Sequence, residues 1–321
     1  TPEAPGNSIA VLPFLDLSEA KNQEYMSDGI AEEMLNLLSR IPELRVIART
    51  SAFSFKGKDD SITEIGRKLN VAYILEGSVR RAGSKIRITM QLIDVSSESH
   101  VWSETYTREL DDIFAIQDEV AAQVTNKLKL TLSGELPKAE EVNREAHDAL
   151  LRGRFMLAQR MPDTVKAAAA EFTKALEIDP DYALAHAELA VATLLLRRVA
   201  YGQLPKNEAI ATAASHTERA LTLDPDLAEA HAATGLLLAL QDRNKEALTY
   251  YMQAIAINPN YSYVYNDIGN IAIVDGDYAE SNAYYEKAFR LDPLSLPATE
   301  NHVEILIESN RLDEADRILE P

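Results

Sequence analysis

Six histidines, His100, His147, His186, His216, His231 and His302, are the side chains best suited to ligate a metal or to move a proton near neutral pH. Their spacing includes neither H-x-x-x-H nor H-E-x-x-H, the arrangements that set two imidazoles around zinc on one helix face. Packing accounts for them and no metal site is expected. The chain has no cysteine, so it offers no thiolate nucleophile, no disulfide and no Cys-based zinc or iron–sulfur site. Asp59-Asp60 and Asp111-Asp112 pair carboxylates, but helix capping and surface solvation explain both without general acid–base work. Glu76-Gly77-Ser78 and Arg81-Ala82-Gly83-Ser84 have neither Walker nor dinucleotide spacing and read as strand and turn features. These residues imply no cofactor and no enzyme.

Positive charge gathers in Arg45, Arg49, Lys56, Lys58, Arg80, Arg81, Lys85 and Arg87. Arg49, Lys56 and Lys58 share the stretch 49–60, read as a polar loop, with Phe53 and Phe55, and form a candidate patch for a small anion or other ligand. The other reading of these cations is that they face solvent and pair with nearby carboxylates. The chain as a whole carries a formal net charge of −19, and the second half is the more acidic. Such a balance argues against a nucleic-acid partner, which requires clustered cations along the phosphate track.

Behind these residues the first 130 positions alternate between short elements. Ser8 to Phe14 is an apolar run stopped by a proline and reads as a buried strand. Ile30, Met34, Leu37, Leu38 and Ile41 make one face of a helix that Pro42 ends. Leu44 to Ala48 is a second short strand. Ser61-Ile62-Thr63-Glu64 is a capping box opening a short helix. Three strand-like segments follow, 72–81, 85–94 and 100–107. The middle one alternates cleanly, with Ile86, Ile88, Met90 and Leu92 inward. Asp111-Asp112 then opens a helix striped by Ile113, Ile116, Val120, Val124 and Leu128. The order predicts an α/β domain with a single mixed sheet over residues 8–134, after a linker at 1–7, with a boundary near Gly134 to Pro137.

The remainder is built on a returning phrase. Ala175-Leu176-Glu177-Ile178-Asp179-Pro180 comes back ending at Pro225, Pro259 and Pro293. The last two spacings are 34 residues and the first is 45. Six residues after the first three prolines stand His186, His231 and Tyr265, while Gly235 and Gly269, and Tyr251 and Tyr285, are each 34 apart. With helix–turn–helix patterning this resembles the tetratricopeptide family. The resemblance implies an all-α repeat superhelix over residues 140–321, about four units and a truncated fifth, with the excess of the second unit near Arg197 to Lys206. Family analogy places Glu229, Tyr263, Asn266 and Asn270 on the groove-lining helices, where asparagines clamp an extended peptide. They could equally solvate that face or bond the neighbouring unit.

The strings "SIAVLPFLDLS", "EYMSDGIAEEMLNLLSRIPELRVIARTSAFSFKGK", "VAYILEGSVRRAGSKIRITMQLID" and "HVWSETYTRELDDIFAIQDEVA" resemble the TolB-amino-terminal-like domain of bacterial multi-domain proteins. The phrase Glu19-Ala20-Lys21-Asn22 departs from the Gly-Asp-Pro expected there. That family implies a sensor region beside a class III adenylyl cyclase or a CadC/ToxR-type regulator. A membrane span usually lies upstream of the sensor, which implies the periplasmic face of a membrane-anchored protein. The chain, opening at Thr1 and closing inside a repeat, reads as a piece of a longer protein. The expected partner is a protein or peptide, self-association into a homo-oligomer is open, and contact with a membrane would come only through an upstream segment. A structural scaffold for envelope complexes, or an enzyme or small-ligand binder using the α/β domain, are the alternatives.

Overall fold

Strand pairing begins with a parallel step. In the computed structural model, which describes residues 5–19, 23–83, 85–109, 113–130, 135–138, 142–202 and 204–319, β1 (Ser8–Val11) pairs in parallel with both β3 (Arg45–Val46) and β4 (Tyr73–Ala82). The short β2 (Leu15–Asp16) continues beside β4, also parallel. From β4 the sheet turns antiparallel through β5 (Lys85–Asp94) to β6 (Ser99–Glu109), in the order β3-β1-β4-β5-β6. The parallel steps need crossovers. These are supplied by α1 (Glu24–Ser39) between β1 and β3, and by α2 (Arg49–Phe53) and α3 (Ile62–Leu69) between β3 and β4. The result is the mixed α/β sheet expected from the sequence.

The alternation read from β5 has its expected consequence: Ile86, Ile88, Met90 and Leu92 are all fully buried. Each such side chain contributes roughly 1.5–3 kcal/mol of burial. On one face Ala52 of α2 and Ile65 and Leu69 of α3 pack with Ala10, Ile47 and Ile74. Elsewhere α4 (Ile113–Lys127) lies against β6, and its Gln117 Nε2 donates to Glu33 Oε2 of α1 at 2.6 Å. The capping box at α3 is present in full: Ser61 Oγ accepts from the Glu64 amide, and Glu64 accepts from the Ser61 amide. Asp111-Asp112, Gly134 and Ala20 to Asn22, where a helix opening, the domain boundary and the departing phrase are read, lie outside the described residues. The stretch 49–60 is not all loop. Its first five residues form α2, which has no side-chain cap and is too short to leave a periodic signature.

The rest is antiparallel helix pairs: α5 (Arg144–Ala158) with α6 (Pro162–Ile178), α7 (Ala183–Leu196) with α8 (Lys206–Leu223), α9 (Ala228–Ala239) with α10 (Asn244–Ile257), α11 (Ser262–Val274) with α12 (Tyr278–Leu291), and α13 (Leu296–Glu308) with α14 (Leu312–Leu319). The extra residues of the second pair lie between its helices, in 197–205. The recurring glycine is a close-approach device. A Cβ on Gly235 would lie 2.5 Å from the Tyr251 ring, and one on Gly269 would lie 2.5 Å from the Tyr285 ring. Gly153 meets Phe172 in the same way, at 2.4 Å. The residue six places after each proline also has a role. His186 and His231 reach the carbonyls of Pro180 and Pro225 through Nε2, at 3.1 and 2.7 Å, and the Tyr265 hydroxyl donates to Pro259 at 3.0 Å.

By compactness the chain divides into two units. One comprises residues 1–21, 30–139 and 258–321; the other comprises residues 22–29 and 140–257.

Candidate interaction site

Within the first unit the sheet and the last two helix pairs are joined through two turns. Strand β3 is the sheet's edge, and an uncovered edge leaves backbone donors and acceptors unpaired. Asn260, in the turn before α11, covers it. Its Oδ1 accepts from the Val46 amide at 3.0 Å, and its Nδ2 donates to the carbonyls of Ser39 and Leu44 at 2.9 Å each. Asn260 is buried, so three backbone groups that water cannot reach are satisfied by one side chain.

Asp292, in the turn before α13, bonds α2, the helix that follows β3. Its Oδ1 accepts from the Ser51 amide at 3.0 Å and from the Ser51 hydroxyl, and that hydroxyl oxygen in turn accepts from the Leu294 amide at 2.8 Å. The Ala48 amide donates to the Leu291 carbonyl at 2.8 Å, and Arg45 Nη1 donates to the Arg290 carbonyl at 3.1 Å. Burial, followed by the nearby Arg290 charge, brings the Arg45 pKa down to about 10. Burial raises the Asp292 carboxyl above its ordinary value, and the bonds from Ser51 oppose that rise. Sequence reading missed this latch. The same proline-phrase column holds Asp179 and Asp224, whose carboxylates bond their own turns at Asp181 and Asp226, so Asp292 looks local.

The anticipated groove residues are found as follows. Tyr263 is 40% exposed and meets Tyr261 edge-on at 4.7 Å. Asn266 Oδ1 accepts from Asn301 Nδ2 of α13 at 2.8 Å, and Asn270 Oδ1 accepts from the Tyr285 hydroxyl at 2.8 Å. Both amides therefore already have a protein partner, and each retains further donor and acceptor capacity. The 34-residue period carries Asn266 onto Glu300, Asn270 onto Glu304 and Val274 onto Glu308. These three glutamates are exposed along one side of α13 and line an open cavity of about 560 Å³ with Leu296, Val303 and Ile307. Glu229 belongs to the second unit. It is largely buried, with an oxygen 4.0 Å from Arg154 Nη2, and Arg154 also pairs with Glu188 at 2.7 Å.

The basic stretch is partnered. Arg49 Nε pairs with Glu32 at 2.7 Å, and its guanidinium lies 4.3 Å from the centre of the Phe53 ring. Lys58 sits 5.7 Å from the centre of the Phe55 ring, which Lys68 approaches at 5.6 Å. Lys56 has its own electrostatic or hydrogen-bonding partner. Among the described residues no three His, Cys, Asp or Glu side chains are grouped to hold a metal ion, and no helix is long and apolar enough to cross a membrane.

Residues 5–123 match the family model described as "HilA/YgeH-like transcriptional regulator, second domain", and residues 228–261 and 262–293 each match the tetratricopeptide repeat. Over 198 residues the chain is 44% identical to "Putative adenylate cyclase 3" of Rhizobium meliloti (strain 1021), covering 60% of this chain and 34% of that protein. The chain thus spans about a third of the length of the curated relative it matches. Among solved structures, pilF of Pseudomonas aeruginosa is 23% identical with a TM-score of 0.44, covering 54% of this chain and 73% of its own. A thermophilic tetratricopeptide-repeat protein of Thermus thermophilus is 17% identical with the same TM-score of 0.44, covering 61% of this chain and 91% of its own. Likenesses at that level add nothing to what the helix pairs themselves show. The chain thus holds a sheet domain similar to that regulator domain, followed by helix pairs of which two match the tetratricopeptide repeat.

Proposed function

We propose that this region is a non-catalytic sensor of a bacterial signalling protein, whose repeats take a protein or peptide and whose output is a cyclase or a DNA-binding domain elsewhere in the full protein. The observation that carries the reading is the latch. Because Asn260 ties the edge strand β3 to the turn before α11, and Asp292 ties the following helix α2 to the turn before α13, anything that shifts those helices also acts on the sheet domain. Binding that favours one arrangement of this unit would shift the population of states presented to the output. The regulator-type match over residues 5–123 and the cyclase name of the relative support a signalling context, as does the resemblance to TolB-amino-terminal-like sensors.

The partner this face suits is a basic, partly apolar segment. Glu300, Glu304 and Glu308 supply the charge, and exposed Leu296 and Ile307 supply the apolar floor. The test is capture from native lysate by residues 1–321, compared with a Glu300→Lys/Glu304→Lys variant shown to be folded by circular dichroism. A partner held by the parent and lost by the charge-reversed variant supports the reading, as does weakening of capture by salt. Equal capture by both, at low and high salt, removes this face from consideration.

A further inference from the structure

In the second unit the ring contacts of the repeat change character at one place. The residue bonded to the proline carbonyl packs against a ring on its pair's second helix: His231 against Tyr250 at 5.9 Å, and Tyr265 against Tyr284 at 6.3 Å in the first unit. In the second pair both rings are imidazoles, His186 and His216, with centroids 5.1 Å apart and Nδ1 atoms 2.8 Å apart. This is also the pair with the long connection 197–205. Leu204 from that connection lines an open cavity of about 470 Å³ together with residues of α6, α7 and α8.

Hydrogen-bond direction can be assigned around this cavity. A carbonyl only accepts, so the Pro180 oxygen requires a proton on His186 Nε2. In the neutral ring His186 Nδ1 is then an acceptor, and the 2.8 Å contact requires the proton on His216 Nδ1. His216 Nε2 is left as an unprotonated lone pair. Burial lowers the pKa of both rings, which favours their neutral forms, and the neighbouring His186 lowers that of His216 further. Of the three lining threonines, Thr173 and Thr193 donate their hydroxyl protons to the Ala169 and Leu189 carbonyls, at 2.9 and 2.7 Å, leaving oxygen lone pairs, and Thr212 is exposed to solvent. Glu177 and Glu208 add two carboxylates. Among the described residues the lining includes no lysine or arginine, and Arg219, near His186, is paired with Asp181. Leu176, Leu189 and Leu204 supply apolar walls.

A cavity whose charges are negative, whose His216, Thr173 and Thr193 present lone pairs and whose walls are aliphatic selects a ligand that donates, is positive and carries an apolar body. We propose that this cavity is a binding site for a small amphipathic organic amine, a protonated primary or secondary ammonium on a hydrophobic group. The carboxylates and His216 Nε2 receive the ammonium protons, while the leucines cover the body. The site lies in a different unit from the α13 face, so either site can fail without the other.

Tryptamine is the probe, with indole-3-propionate as its anionic counterpart, titrated calorimetrically into residues 1–321. Tryptamine is expected to saturate and the propionate to show at least about tenfold weaker binding. A Glu177→Gln/Glu208→Gln variant, changed only at exposed helix positions, should lose at least about tenfold in tryptamine affinity with an unchanged melting temperature. In two-bond proton–nitrogen spectra, His216 Nε2 should show the shift of an unprotonated ring nitrogen and move when tryptamine is added. No binding up to about 10 mM, equal binding of the anion, full affinity in the variant, or a protonated His216 Nε2 in the free protein would each overturn the proposal.

Discussion

Asp292 shows how a side chain that looks like a turn residue can become a joint. Its carboxylate is removed from water, and removal favours the protonated form, so its pKa in the fold lies above the ordinary 3.8. The folded state therefore holds the proton at pH values where the unfolded chain has released it. The resulting stability is greatest below the ordinary value and is lost as pH rises through the folded value. Asp292→Asn keeps an oxygen for the Ser51 amide but cannot ionise. Urea midpoints measured from acid toward neutral pH should move in the variant's favour as pH climbs through that window, then run parallel above it. Curves parallel throughout would mean that Asp292 titrates as an ordinary exposed carboxylate.

At the scale of elements, glycine and aromatic columns set how closely paired helices approach. Tyr285 is almost wholly buried and lies over Gly269, with its hydroxyl held by Asn270. Gly269→Ala should gain about 1 kcal/mol in helix propensity, but it places a methyl 2.5 Å from ring carbons, and overpacking of that kind costs about 1–3 kcal/mol. The expected outcome is a net loss of stability, read as a lower urea midpoint with an unchanged slope; a gain would show that α11 and α12 part freely. These columns were legible because each repeat states them again. The Ser61 capping box and the β5 alternation were legible because helix caps and pleats act within three or four residues. Helix α2 was not, since five residues without a side-chain cap carry no period. The latch was not either. Asn260 and Val46 are 214 residues apart, and the residue types in those turns are the ones the repeat uses for its own capping. Family analogy puts Asn266 and Asn270 on α11, but analogy does not reveal that Asn301 and Tyr285 already engage them.

For the whole molecule, the consequence of the latch is that one compact unit is assembled from both ends of the chain, with residues 258–321 completing the sheet domain of residues 30–139. The amides of Val46, Ala48 and Ser51 owe their protection to Asn260, Leu291 and Asp292, not to the sheet. Asn260→Ala deletes three bonds at once and leaves one donor and two acceptors buried. At about 1–3 kcal/mol for each buried group left unsatisfied, the loss should be several kcal/mol unless the turn opens to water. Opening is the cheaper response, and it has a distinct signature. In hydrogen exchange, the Val46, Ala48 and Ser51 amides should exchange faster together, whereas those of β5, protected by strand pairing on both sides, should keep their rates. Uniform acceleration across the sheet would mean that the repeats and the sheet unfold as one cooperative body. Acceleration at Val46 alone would mean that Asp292 and Leu291 hold the edge without Asn260, and the coupling proposed between repeat face and sheet would then run through the α13 turn only.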